Sequence, residues 1–362
     1  MFDHAHYVPI LKGKEGEYLA LRDLDPVIKD GFTPLIEIPS IPYDFENDTP
    51  AKTVDDHLAK VAQKIQTCWG AGRPLFIDLD LIPPPEVMAD GSQPLKFVFD
   101  AARTANLRAI PVTGINRTSD YQNAAKEAND IDHFGVCLRL ENEDLSDPDL
   151  HTKVDDLVGF FGEFAHNMDL VVDFGAVSDS IANALLFAAS SIIANLPGVR
   201  DWRTLTFAAT GFPQDLGGVE PRTVKAIQRT EWTLWQNLAA RRSRLIRLPS
   251  FGDYGIAHPI PNEIDPRLMK MSAQLRYTSD DTWLVFKARN VKDYGYEQFN
   301  GICRNLVGRS EYKGAPFSWG DNQISVCATP GAPSGNATTW RRIGTNHHLT
   351  FVVDQLASVP GL

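Results

Sequence analysis

Residues 74–80, PLFIDLD, begin as a short apolar run and stop on two carboxylates, Asp78 and Asp80. A strand buried on both faces reads as such a continuous run, whereas a half-exposed strand alternates. Seven further runs share this character: residues 7–13 (YVPILKG), 32–39 (FTPLIEIP), 107–115 (LRAIPVTGI), 134–140 (FGVCLRL), 169–175 (DLVVDFG), 204–211 (TLTFAATG) and 244–250 (RLIRLPS). Segments of helical character separate most of them. The rhythm predicts an α/β fold, a single (β/α)8 TIM-barrel-like domain. The barrel core is expected over residues 7–255. Residues 256–362 form a C-terminal β-hairpin and helix elaboration packed on it, so that 1–362 is one domain; a separate small domain is the alternative.

The helices follow from local signals. In the first βα unit, Leu19, Leu21, Leu24, Val27 and Ile28 recur near helical spacing, with Pro26 a break and Gly31 a C-cap. Residues 53–69 start on a Thr cap, and 94–106 open with Pro at a helix start. Residues 119–129, 152–166, 178–196 and 220–242 supply four more. Two loops, 40–52 and 81–93, leave the second and third strands and exceed what a compact barrel requires. Beyond 255, residues 273–276 and 282–289 flank TSDD as a hairpin, an addition and not a ninth barrel strand. Residues 296–307 read as helix, 308–338 as mostly loop, and 339–356 as a terminal helix.

Composition narrows the partners. The 362 residues carry a formal net charge of −11, which disfavours nucleic acid as a partner, because phosphate neutralisation needs clustered Lys and Arg. No apolar stretch approaches the ~20 residues a membrane helix needs, so no membrane is expected. The start, MFDHAHYVPILKGKEG, lacks secretory features, and the expected location is cytoplasmic. Four cysteines lie far apart without CxxC spacing, which supports neither a disulfide framework nor a zinc ribbon.

Strand ends nominate the chemistry. Lys12 ends the first strand, Glu37 the second and Asp78 the third; Asn116 and Arg117 follow the fourth. Arg139 lies near the end of the fifth, Asp173 of the sixth, and Asp253 with Tyr254 follow the eighth. Charges within apolar strands cost several kcal/mol unless paired. Two readings account for them. In one, a polar barrel mouth binds a small anionic or nucleotide-like ligand through Lys12, Arg139, Asn116 and Tyr254, with Glu37, Asp78 and Asp173 as acid–base groups. In the other, a buried ion-pair network plugs the mouth. Asp78-x-Asp80 suggests a divalent cation such as magnesium or calcium, although no metal site is assigned. The terminal segment adds His347 as an acid–base candidate and Trp340, Asn346 and His348 as ligand-binding candidates. Adjacent histidines on a helix point about 100° apart, so one metal could not easily take both; one is expected to face the mouth and the other to cap or pack. The sequence contains no GxxxxGK[ST], GxGxxG, HExxH or GxSxG motif.

The segments YVPILKGKEGEYLAL, PLIEIP and FIDLDL in the first third, and YGYEQFNGIC, FSWGD and GNATTWRRIGTNHHLTFVV near the end, resemble the phage-associated "beta protein" family. The similarity spans nearly the full length, and TTWRRIGTNHHLT is its most specific part. Lys12, Glu37, Asp78, Trp340, Asn346, His347 and His348 are the positions typical of that family. Its members occur in phages, mobile elements and bacterial genomes, some beside toxin–antitoxin or phage-defence genes. The resemblance implies a component of a phage–host conflict system, antiviral or toxin-like, without supplying a reaction. The leading expectation is a ligand-binding, hydrolytic barrel mouth. The alternatives are a non-catalytic module that binds a ligand or a partner protein from the same locus, and a divalent-metal-dependent nuclease.

Overall fold

The computed structural model describes residues 2–162, 164–260 and 271–359. Eight parallel strands close into a barrel: β1 (Tyr7–Leu11), β2 (Leu35–Glu37), β3 (Pro74–Asp78), β4 (Arg108–Thr113), β5 (Cys137–Leu140), β6 (Asp169–Ala176), β7 (Thr204–Thr210) and β8 (Ser250–Asp253). Neighbours in the ring are neighbours in sequence, and β1 pairs with β8 through Tyr7↔Phe251. The α/β barrel expected from the sequence is the observed fold.

Side chains alternate along each strand, and that period decides what faces the lumen. Val8, Ile10, Leu35, Phe76, Ile110, Val112, Cys137, Val171 and Ala208 fill it as one apolar cluster. Their neighbours, among them Tyr7, Ile36, Ile77, Leu138 and Leu170, join the larger cluster between strands and helices. Two residues beyond Ile10, Leu35, Phe76, Cys137 and Val171 stand Lys12, Glu37, Asp78, Arg139 and Asp173. The same alternation that buries the apolar layer therefore aims all five charges at the barrel axis, at the strands' C-terminal end.

The hairpin expected after residue 255 is present as Ser272–Thr278 paired antiparallel with Thr282–Asn290. A third strand, Thr223–Gln228, joins it. The sequence reading placed one helix over 220–242; the helix instead covers Thr230–Ala240. The segment TVKAIQ is better served by pairing its backbone with Thr282–Asn290, while Val224 and Ile227 pack inward. Residues 53–69 likewise divide into Val54–Leu58 and Val61–Cys68. Within the stretch read as loop, Ser318 caps a helix over Trp319–Ala328, its hydroxyl accepting from the Asp321 N–H at 3.0 Å.

The last helix, Ala337–Ala357, joins cap and barrel. Trp340 and Ile343 belong to the apolar cluster of the cap, whereas Leu349, Val352 and Leu356 belong to that of the barrel. Residues 261–270 of the elaboration lie outside the described residues. Among the described residues, no helix is long and apolar enough to cross a membrane.

Candidate functional site

The barrel rim gathers the strand-end charges around one guanidinium. Arg139 Nη1 donates to Glu37 Oε1 at 2.8 Å and to Asp78 Oδ2 at 2.9 Å, and Nη2 donates to Asp173 Oδ2 at 2.7 Å. Tyr254 closes the arrangement: its hydroxyl accepts from Arg139 Nη2 at 2.8 Å and donates to Asp173 Oδ2 at 2.5 Å. Lys12 pairs with Glu37 and lies 5.1 Å from the centre of the Tyr254 ring. None of these six side chains belongs to a residue more than 6% exposed.

Electrostatics fix their ionisation. Burial opposes the Arg139 charge, but Tyr254, Asp173 and Glu37 outweigh it and hold the group protonated, well above its ordinary value. Burial and the Asp173 carboxylate push the Tyr254 phenol far up, so it stays a donor. Glu141, 3.3 Å from Arg139 Nη2, is raised by burial against the pull of Arg139. Buried charges are retained at such positions only when each is paired and hydrogen-bonded, and here each is.

The Asp78/Asp80 pair does not fit the cation that the sequence suggested. Arg117 forms ion pairs with both carboxylates, and the Asp80 N–H donates to Asp78 Oδ1 at 3.0 Å. A guanidinium already sits where a divalent ion would have to bind. Among the described residues, no group of three or more His, Cys, Asp or Glu side chains is arranged to hold a metal. Asn116 stands to one side, donating to Asp144 Oδ1 at 2.6 Å.

The four C-terminal candidates do not meet the rim. His347 bonds to Asp321 Oδ2 at 2.8 Å through Nδ1 and to the Thr278 carbonyl at 2.9 Å through Nε2. Both partners are oxygen acceptors, a carboxylate on one side of the ring and a backbone carbonyl on the other. His348 faces the barrel wall instead. Its Nε2 donates to Asp253 Oδ2 at 3.0 Å, and the Thr278 hydroxyl donates to its Nδ1 at 2.8 Å, the pattern of a neutral ring. Burial holds His348 below the usual histidine range, consistent with that form. Tyr7 donates to the other Asp253 oxygen at 2.5 Å. Asn346 accepts from the Gly320 N–H at 2.8 Å and donates to the Ala20 carbonyl at 3.2 Å, linking three helices. Trp340 stacks on Phe299 with ring centres 4.0 Å apart. The expected mouth-facing histidine is thus absent among the described residues, because a helix packed between two cores turns both rings into packing.

Sequence reasoning did not single out Tyr121, whose hydroxyl donates to the Val112 carbonyl at 3.1 Å, or Glu141. It placed Arg117 after a strand without giving it a role. A buried Asp78 beside Asp80 was the available signal, since two neighbouring carboxylates require a cation.

Behind β8 a second acid is strained. Glu231 is fully buried; one oxygen accepts from the Gly211 N–H at 2.8 Å, while the other has no hydrogen-bond partner. Burial, opposed by Arg229 at 3.6 Å and reinforced by Asp253, pushes its carboxyl up to about 7. A raised folded-state value stabilises fully below the unfolded value and loses that contribution as pH rises through about 7. Between pH 5 and pH 8 the protein should therefore lose roughly 3 kcal/mol of stability relative to Glu231→Gln. Parallel denaturation curves for the two proteins across that range would contradict this.

No curated protein matches the chain. Among solved structures, two variants of the tryptophan synthase alpha-subunit from the hyperthermophile Pyrococcus furiosus are similar at 11% and 12% identity, with TM-scores of 0.38 and 0.37. Each match covers 71% of this chain and 89% of the other. The profile described as Beta protein matches residues 7–354, and it takes in the barrel rim and most of the terminal helix. On that match over nearly its whole length, the chain belongs to the Beta protein family.

Proposed function

We propose that this protein is a non-catalytic binding module, acting in the cytoplasm as the ligand-recognising component of a phage–host conflict system. Barrel and elaboration work as one domain over 1–362, and the ligand is a small anion held at the C-terminal face of the barrel. A partner protein from the same locus would carry out any chemistry.

One observation carries this reading: the three carboxylates at the strand ends are already engaged. Glu37, Asp78 and Asp173 each accept from Arg139, and each is at most 3% exposed. A general base needs a free lone pair within reach of the proton it removes. Here those lone pairs face guanidinium, ammonium and phenol groups. The hydrolytic and nuclease expectations lose their acid–base residues by the same argument.

The reading is tested with Glu37→Gln and Asp173→Asn, scored by phage plaque reduction and host growth at matched levels of folded protein. Each variant should melt earlier yet retain the activity per folded molecule of the parent chain. A variant that folds as well as the parent but abolishes the cellular effect would restore a catalytic role for the rim.

A further inference from the structure

Beside the rim, between the barrel and its cap, lies a cavity of about 290 Å³. The β1 loop contributes Lys14 and Gly16, the chain after β8 contributes Ile256, the cap sheet Gln274 and Arg276, and the last helix Arg341. We propose that this cavity is a binding site for a phosphomonoester dianion on a small organic body. The inference rests on the reading of the protein as a ligand-binding module and gives that module its site.

Charge is the first argument. Three cations line the cavity, yet only Arg341 has a carboxylate partner, Glu17 at 3.4 Å. Glu15 also lines it, but its carboxylate pairs with Lys64 at 2.8 Å. Arg276 donates to the Ile256 carbonyl at 2.6 Å and stacks on Phe212, 4.7 Å from the ring centre. Neither Arg276 nor Lys14 has an ion-pair partner among the described residues. Burial and repulsion from Arg341 bring the Arg276 guanidinium down to about 9. Burial lowers Lys14 as well, with Arg341 adding to the effect and Glu17 opposing it. Three cations gathered at one wall and offset only in part by Glu17 favour an anion there.

Backbone geometry is the second argument. The helices Glu15–Arg22 and Ala337–Ala357 both begin at this cavity, with Gly16, Ala337 and Thr338 on its wall. A Cβ at position 16 would lie 2.9 Å from Arg341 Cβ and 3.0 Å from the Thr338 carbonyl, so only glycine lets the two helix starts meet. Converging first turns add two partial positive charges and unused N–H groups to the cations, the combination that favours phosphate. The remaining wall is apolar, with Val291, Phe299 and Trp340, and suits the organic part. The volume lies near the small end for ligand pockets, which favours a sugar phosphate or mononucleotide over larger anions.

The test is calorimetry and thermal melting of the full chain with inorganic phosphate, AMP and adenosine. AMP and phosphate should bind competitively and raise the melting temperature, adenosine should not, and binding should weaken as salt increases. Arg276→Met should weaken AMP binding at least tenfold, the effect of losing one charge-assisted contact. The more exposed Arg341→Gln gives the same readout should Arg276→Met fail to fold. Absence of binding by phosphate and AMP to the folded parent would overturn the proposal, and so would binding that neither substitution weakens. In either case the module reading stands, since it falls only to the rim variants described above.

Discussion

Replacing Arg139 with methionine is expected to destabilise the protein by about 3–5 kcal/mol, the range for removing one partner of a buried ion pair. The geometry places it at the upper end. One guanidinium holds Glu37, Asp78 and Asp173 at 2.7–2.9 Å, with the arginine itself 2% exposed. Its loss leaves Asp173 with Tyr254 and the Gly175 N–H, Asp78 with Arg117, and Glu37 with Lys12. Three carboxylates then crowd a lumen whose next layer is Ile10, Leu35, Phe76 and Cys137. Arg139→Lys should rescue little, because a single ammonium cannot present two forks to three acceptors. Adding Asp173→Asn to Arg139→Met should recover part of the loss by removing one unpaired charge. Urea midpoints for the four proteins decide the matter. A midpoint for Arg139→Met within error of the parent would mean that the rim is solvated and open, and the case against a catalytic mouth would fall with it.

The same alternation explains why so much of this was legible in the sequence. A buried parallel strand shows as an apolar run, and the polar residue two places beyond the last lumen position must point along the axis. Lys12, Glu37, Asp78, Arg139 and Asp173 could therefore be assigned to one rim from spacing alone. Whether the rim was empty or filled could not, because pairing depends on distances across the barrel: Arg139 meets Glu37 over a separation of 102 residues. The cap resisted reading for a different reason. TVKAIQ carries a strand pattern too short to outweigh the helix that follows it, and its pairing partner lies in Thr282–Asn290. His347 and His348 suggested chemistry because histidine serves as an acid–base group near neutral pH, and burying two of them is costly. Their cost is met by Asp321 and Asp253, in segments that nothing local connects to them. The cations of the proposed anion cavity were equally dispersed, over positions 14, 276 and 341.

Asp321→Asn is expected to be nearly as damaging as loss of Arg139, and its signature is a pH profile. Asp321 is fully buried and accepts from His347 Nδ1, from the Tyr277 hydroxyl at 2.8 Å and from the Ser318 hydroxyl at 2.6 Å. Burial alone would raise its carboxyl, yet His347, Ser318 and Tyr277 outweigh that and hold it below the ordinary carboxylate value. A depressed folded-state value contributes stability that is complete above the unfolded value, about 4, and is lost as pH falls through the folded one. Asparagine replaces a charged acceptor of three donors with a neutral amide, so at pH 7 the variant should lose about 3 kcal/mol, the upper end of what hydrogen bonds to a charged group contribute. Below about pH 4 the parent forfeits the same contribution, and the two stability curves should converge. The double variant Asp321→Asn with His347→Gln removes both partners of the contact and should lie closer to the parent at pH 7 than Asp321→Asn alone. A constant offset between parent and Asp321→Asn from pH 3 to pH 8 would show instead that the aspartate acts only through shape. The joint between the cap and the last helix would then owe nothing to the charge of Asp321.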